Sequence, residues 1–97
     1  MDSAVMKALN LPEPKYEKTV KIYQTLPRIL QWRIMVSAYQ RLNENDKELF
    51  RRYFEKQEGY DIQLLFYQKI PNYKQIIDEE LEKLRKEVLE IVYGQHF

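Results

Sequence analysis

The most regular pattern of hydrophobic and polar positions lies in the last quarter of the chain. Apolar residues recur there at intervals of seven, with others between them in a four-three rhythm: Ile70, Ile77, Leu81, Leu84, Val88 and Ile91. This spacing predicts an amphipathic helix over residues 73–93, about three heptads long. Asn72 is placed to cap its start and Gly94 to end it. The apolar stripe suits either packing within the chain or a contact with a second copy.

Residues 15–42 also carry apolar positions at helical spacing, with Pro27 among them. An interior proline loses one backbone hydrogen bond and clashes with the preceding turn. We therefore expect two helices, 15–24 and 26–42, with Thr25 as the cap of the second, or one helix with a sharp kink. Residues 26–42 are apolar on more than one side, which predicts a central helix.

The N-terminal residues read as a separate segment. Ser3 to Leu9 is a short helical candidate that Asp2 or Ser3 can cap, and Pro12 and Pro14 follow it. Two prolines this close remove donors and hold the chain extended. We expect residues 1–14 to be an N-terminal arm or short helix with a proline-bounded linker, and residues 15–97 to be a helical domain.

Helix boundary signals also divide residues 43–71. Asn45 and Glu48 resemble a capping box, and Gly59 suits the residue just after a helix. Asp61 is placed to cap a short helix over residues 62–69, which Pro71 stops.

These segments together predict an all-α fold. We expect a single compact bundle of four to five helices with a short N-terminal arm and a long C-terminal amphipathic helix, since 97 residues suit one domain. The expected core consists of the apolar residues that face inward on these helices: Leu26, Leu30, Ile34, Leu42, Leu49, Phe50, Phe54, Leu65, Phe66, Ile70, Ile77, Leu81, Leu84 and Val88.

The amino-acid composition excludes most kinds of catalytic site. The chain has no cysteine, which excludes disulfides, thiolate zinc sites and cysteine nucleophiles. His96 is the single histidine and lies in an expected frayed tail, where a general base or metal ligand is not held in place. Ser37 has no neighbouring histidine, and two glycines do not build a phosphate loop.

The carboxylates near residue 80 suggest metal binding or acid–base chemistry, with a solvated helix face as the alternative. They are Asp78, Glu79, Glu80 and Glu82. Hard cations need oxygens that converge on one point, whereas acids on consecutive helical positions fan outward. We favour the solvated face, and we expect no enzyme activity, no cofactor, no metal and no small-molecule substrate.

Charge is unevenly distributed along the chain although the net charge is only +1. Residues 1–42 hold seven basic and three acidic side chains, and residues 43–97 hold nine basic and twelve acidic ones. We expect the basic half to pack against the acidic last helix of the same chain or of a partner, or else to bind nucleic acid through phosphate contacts and aromatic stacking. The residues of this nucleic-acid alternative are Lys15, Lys18, Lys21, Arg28, Arg33 and Arg41.

Aromatic residues make up 13% of the chain, with eight Tyr, four Phe and one Trp. A core of this size does not bury all of them, and aromatic side chains are enriched at recognition surfaces. The preferred function is therefore a non-catalytic protein-interaction or assembly module that binds a protein partner or itself. The expected contact residues are Trp32, Tyr39, Tyr53, Tyr60, Tyr67 and Tyr73. Trp32 suits either the edge of the core or an anchor in a subunit contact.

The sequence has neither the pattern of a secretory signal nor that of a membrane span. Asp2 stands where a signal needs a basic start, and no apolar run approaches the roughly 20 residues of a spanning helix. We therefore expect a cytoplasmic protein without membrane contact.

From Lys21 onward the order of features resembles an uncharacterised family of small helical domains from candidate-phylum bacteria. The shared elements are Arg33-Ile34, Leu42-Asn43-Glu44, Ile70-Pro71-Asn72-Tyr73 and Glu80-Leu81-Glu82-Lys83-Leu84. The resemblance implies a bacterial, all-helical domain. It assigns no activity and no functional residue, and the basic, proline-bounded segment before it is unlike the acidic members of the family.

Overall fold

The chain is helical in the part that its computed structural model describes, residues 3–57 and 59–94. The helices in this part are α1 (Ser3–Leu9), α2 (Glu17–Tyr39), α3 (Glu44–Glu55), α4 (Gly59–Lys69) and α5 (Tyr73–Tyr93). None of these residues forms a strand, so the all-α prediction is confirmed. The predicted cap residues Asp2 and Asp61 and the terminal His96 lie outside the described side chains.

The chain divides into two compact units. Unit 1 comprises Met1–Arg33 and Asp78–Phe97, and unit 2 comprises Ile34–Ile77. Helices α2 and α5 contribute residues to both units, whereas α1 belongs to unit 1 and α3 and α4 belong to unit 2.

Helix α2 continues through Pro27. The prediction of two separate helices is therefore wrong, and Thr25 does not cap a new helix. Its hydroxyl instead donates a hydrogen bond of 2.7 Å to the backbone carbonyl of Ile22 within the same helix. Proline removes only one backbone N–H, and the hydrogen bonds on either side keep α2 continuous.

Local hydrogen bonds set the ends of α3. The side-chain oxygen of Asn43 accepts from the backbone N–H of Asp46 at 2.8 Å, so the N-cap is Asn43 and not Asn45 as predicted. After the helix, Gln57 adopts the left-handed conformation with φ of 59°. Gly59, which was predicted for that role, is the first residue of α4.

The buried side chains of unit 1 come from α1, α2 and α5: Leu9, Thr19, Tyr23, Leu26, Leu30, Leu84, Val88 and Leu89. The phenol of Tyr23 donates to the carbonyl of Pro12 at 2.7 Å and lies 2.7 Å from the phenol of Tyr93. A carbonyl only accepts, so the single proton of Tyr23 goes to Pro12 and Tyr93 donates to Tyr23. These two bonds join α2 to the segment after α1 and to the end of α5. Leu9, the last residue of α1, is fully buried.

Unit 2 has a core built largely from aromatic rings. The ring of Phe50 lies 5.0 Å from that of Tyr39 and 5.7 Å from that of Phe66, which in turn lies 5.5 Å from that of Tyr73. Such separations are those of favourable aromatic pairs. Aliphatic side chains complete this core: Ala38, Leu42, Ile62, Leu65, Ile70 and Ile76.

Two apolar residues lie in solvent where the pattern predicts burial. Phe54, in the last turn of α3, stacks on Phe50 at 5.9 Å yet is 51% exposed. Ile91 is 79% exposed, although Val88 and Leu89 in the turn before it are buried. The strict seven-residue repeat therefore overstates how far one side of α5 stays buried.

Candidate functional site

Exposed large apolar side chains occur in both units. In unit 1 they are Tyr16, Ile29, Trp32 and Ile91, and in unit 2 they are Val36, Phe54, Leu64 and Tyr67. Isolated exposed apolar residues are ordinary, whereas neighbouring ones mark contact surfaces. Ile29 and Trp32 are neighbours of this kind, because residues three apart in a helix lie side by side.

Ile29 and Trp32 belong to one exposed side of α2, here named the α2 face. Its members recur at intervals of three and four residues and are all exposed: Lys18, Lys21, Thr25, Arg28, Ile29 and Trp32. The α2 residues buried in unit 1, including Leu26 and Leu30, fall on the opposite side. At 1.5 Å per residue the α2 face is about 21 Å long.

The α2 face is positively charged. Lys18 and Arg28 make no ion pair or side-chain hydrogen bond with any residue that the structure describes. Lys21 lies 3.8 Å from Glu17, with the two side chains 72% and 86% exposed. An exposed pair at this distance contributes little to stability, so Lys21 is readily available to another anion.

Arg33, one residue beyond the α2 face, is held within unit 1. Its Nη2 donates to Oε2 of Glu87 on α5 at 2.6 Å. This charged hydrogen bond raises the pKa of the Arg33 guanidinium. An acidic side chain of α5 thus neutralises Arg33 but does not neutralise Lys18 or Arg28.

The structure divides the residues of the nucleic-acid alternative between the two units. Lys15, Lys18, Lys21, Arg28 and Arg33 belong to unit 1, whereas Arg41 belongs to unit 2. Arg41 lies just after the end of α2 and donates from Nη1 back to the carbonyl and the hydroxyl of Ser37 on that helix, at 2.9 and 2.8 Å. Arg33 and Arg41 therefore already have partners within the chain.

The aromatic residues predicted to contact a partner differ widely in exposure. Trp32 is 59% exposed and Tyr67 is 60% exposed, whereas Tyr73 is only 6% exposed. The ring of Tyr67 stands edge-on to that of Tyr73 at 4.7 Å. Burial raises the pKa of the Tyr73 phenol. Tyr73 is thus a core residue of unit 2, and Trp32 and Tyr67 are available at the surface.

Three further tyrosines were expected in the contact set. Tyr39 and Tyr53 are partly buried against the core of unit 2. The ring of Tyr39 lies 5.4 Å from the ammonium of Lys47, and its phenol accepts from Nη2 of Arg51 at 3.2 Å. The side chain of Tyr60 lies outside the described residues.

Sequence reasoning missed Ile29 as a surface residue. Residues 26–42 were predicted to form a central helix that is apolar on more than one side, which implies that Ile29 is buried. The sequence signal for Ile29 is its spacing of three residues from Trp32. This spacing shows that the two side chains lie on the same side of the helix, but it does not show that this side is exposed.

The acidic residues near position 80 form ion pairs along α5. Glu80 lies 3.7 Å from Lys83, and Glu82 lies 3.9 Å from both Arg85 and Lys86. In residues 3–57 and 59–94, acidic and histidine side chains do not gather in threes around a point that could hold a metal ion. Over the same residues, no helix has the length and apolar character needed to cross a membrane.

Comparison with known proteins returns no relative for this chain. No family model, no curated protein and no solved structure matches it. The resemblance to small helical domains from candidate-phylum bacteria stays a prediction, and the candidate site rests on the geometry of the α2 face.

Proposed function

We propose that this chain is a non-catalytic protein-interaction module whose contact surface is the α2 face. The observation that carries the proposal is Trp32, a large aromatic side chain that is 59% exposed beside the exposed Ile29. Tryptophan and arginine dominate the binding energy of protein interfaces. Arg28 lies one helical turn before Trp32, so the α2 face brings both residue types together.

The exposure of Trp32 leaves a sizeable free energy available for binding. Aromatic side chains bury about 150–250 Å² each, and Trp32 retains more than half of its surface in water. At about 25 cal/mol per Å², a partner that covers the exposed surface of Trp32 gains roughly 2–4 kcal/mol of binding free energy. That is the range of a single hot-spot residue.

The charges on the α2 face support a protein partner over nucleic acid. Two of the six residues of the nucleic-acid alternative, Arg33 and Arg41, are engaged by Glu87 and Ser37. The cations that remain on the α2 face flank Ile29, an aliphatic side chain that neither stacks on a base nor contacts a phosphate. A protein segment supplies carboxylates that pair with the cations and apolar side chains that pack against Ile29.

Selection of binding peptides on the 97-residue chain tests the proposal. An unbiased displayed library is enriched on the wild-type chain, and the affinities of the enriched peptides are measured for three variants. Trp32→Ala should weaken binding by at least about 30-fold, since truncating a hot spot removes about 2 kcal/mol or more. Ile29→Ala should weaken it less, because Ile29 has less exposed surface to contribute.

Tyr16→Ala is the matched control. Tyr16 is an exposed aromatic residue of unit 1 that lies outside the α2 face, so this variant should bind as the wild type does. Enriched peptides that keep their affinity for Trp32→Ala, or a selection that enriches no peptide, would show that the α2 face is not a binding surface.

A further inference from the structure

We infer that the partner of the α2 face is an acidic, amphipathic protein segment of about four helical turns. This inference rests on the proposed function and adds the chemistry of the partner. The juxtaposition that carries it is a pair of exposed apolar side chains, Ile29 and Trp32, on one helix side with Lys18, Lys21 and Arg28.

Unpaired charge on the α2 face selects an anionic partner. Lys18 and Arg28 have no partner among the described residues, and Lys21 has only the exposed contact to Glu17. Arg33 shows how the chain neutralises a cation when an acidic side chain of α5 reaches it at 2.6 Å. Among the residues that the structure describes, no carboxylate other than that of Glu17 pairs with a cation of the α2 face, so Asp and Glu side chains from outside are its electrostatic complement.

A second copy of the chain is a poor occupant of the same surface. A two-fold dimer places the same patch of each copy against the other. Contact through the α2 face would therefore set Lys21 and Arg28 of one copy against the same cations of its partner. Like charges brought together at an interface oppose association.

Nucleic acid matches only part of the α2 face. Three cations spread over about 15 Å neutralise few phosphates, and affinity for nucleic acid grows with the number of phosphates neutralised. Ile29 contributes no stacking surface, although Trp32 does. An acidic segment with apolar side chains at helical spacing complements the cations, Ile29 and Trp32 at once.

The dimensions of the α2 face give the length of the partner segment. Lys18 and Trp32 stand 14 residues apart on α2, which corresponds to about 21 Å. A helix that lies along this surface needs about 14 residues, with apolar side chains in one stripe and carboxylates beside it.

The test uses a helix-biased peptide library on the same 97-residue chain. Apolar residues stand at positions i, i+3, i+4 and i+7, and the remaining positions are randomised over Glu, Lys and Gln. Enriched peptides should carry Glu in excess beside the apolar stripe. Trp32 is the only tryptophan of the chain, so its fluorescence should shift to shorter wavelength as a peptide covers it.

Reversing the charge of Arg28 tests whether the partner is acidic, independently of whether the α2 face binds a partner at all. Arg28→Glu should weaken an enriched acidic peptide at least tenfold and should restore binding to the matched peptide with Lys in place of Glu. Lys56→Glu is the control, because Lys56 is an exposed cation of unit 2. The affinity for the acidic peptide should also fall as salt rises.

Each other outcome overturns a defined statement. Enrichment of Lys-rich or Gln-rich peptides whose binding still depends on Trp32 would overturn the acidic partner and leave the proposed function standing. Peptides that bind independently of Trp32, or no enrichment, would overturn both. Displacement of the acidic peptide by an equimolar mixed-sequence DNA 20-mer would point to nucleic acid, and a two-fold dimer that protects Trp32 would point to a second copy.

Discussion

Replacing Tyr23 with phenylalanine isolates the hydrogen bonds that join α2 to Pro12 and to Tyr93. The change removes one oxygen and leaves the buried ring in place. That oxygen lies 2.7 Å from the carbonyl of Pro12 and 2.7 Å from the phenol of Tyr93. Each hydrogen bond contributes about 0.5–1.5 kcal/mol net, and water can reach the exposed Pro12, so we expect a loss of about 1–2 kcal/mol.

Urea unfolding followed by far-ultraviolet circular dichroism measures this loss. Tyr23→Phe should lower the midpoint at an unchanged slope, and in a thermal scan it should lower Tm by about 4–8 °C for each kcal/mol. Tyr16→Phe is the control, since Tyr16 is 73% exposed and its phenol bonds no described residue. It should remain within about 0.5 kcal/mol of the wild type.

A double-mutant cycle shows whether the loss comes from the shared contact. Tyr23→Phe and Tyr93→Phe remove the same bond between the two phenols, so the double variant should lose less stability than the two single variants together. A Tyr23→Phe chain as stable as Tyr16→Phe would refute the reasoning, because the two bonds would then contribute nothing to folding.

Alkaline titration tests the same contact independently. Burial, together with the hydrogen bond to Tyr93, raises the pKa of the Tyr23 phenol above its ordinary value. The phenol is neutral in both states below about pH 10, where its full contribution is present; above that pH the unfolded chain ionises first and stability falls. The stability difference between wild type and Tyr23→Phe should therefore shrink from pH 8 to pH 11. A difference that stays constant over this range contradicts the raised pKa.

The remaining predictions concern unit 2 and use matched pairs of variants. Phe66→Ala should destabilise by about 3–5 kcal/mol, because Phe66 is 2% exposed, whereas Phe54→Ala should cost about 1 kcal/mol at a half-exposed site. Equal losses in urea unfolding would contradict the assigned burial. Asn43→Ala should cost about 1 kcal/mol through the lost N-cap, and Asn45→Ala should stay within about 0.5 kcal/mol. The reverse order would place the cap at Asn45.

Helix positions are the part of the fold that the sequence pattern predicts well. The bounds of α5 agree with the predicted range, and Gly94 follows it with φ of 67° while its N–H bonds to the carbonyl of Glu90 at 3.0 Å. Periodicity and cap residues act over one or two turns, so they are readable without knowledge of the rest of the chain.

Where two neighbouring residues suit the same helix-end position, the sequence pattern does not predict which of them takes it. Asn43 and Asn45 are both good cap residues, and Gln57 takes a left-handed position although Gly59 stands two residues away. The competing alternatives differ by about 1–2 kcal/mol. Burial of Phe50 and Phe66 between α3 and α4 contributes about 1.5–3 kcal/mol for each side chain, so packing in unit 2 outweighs these local preferences.

The same distinction between local pattern and tertiary packing applies to the α2 face. Lys21 shares a side with Trp32 only because α2 continues through Pro27. The sequence pattern places Arg28 and Trp32 on one side of the helix predicted over residues 26–42, because residues four apart in an α-helix lie side by side. It also predicted Trp32 as a candidate contact residue. Tertiary packing leaves this side of α2 uncovered, exposes Ile29 on it and brings Glu87 to Arg33. The reason is physical: the angle between two side chains on a helix is a local property, whereas burial depends on which distant segments pack against that side.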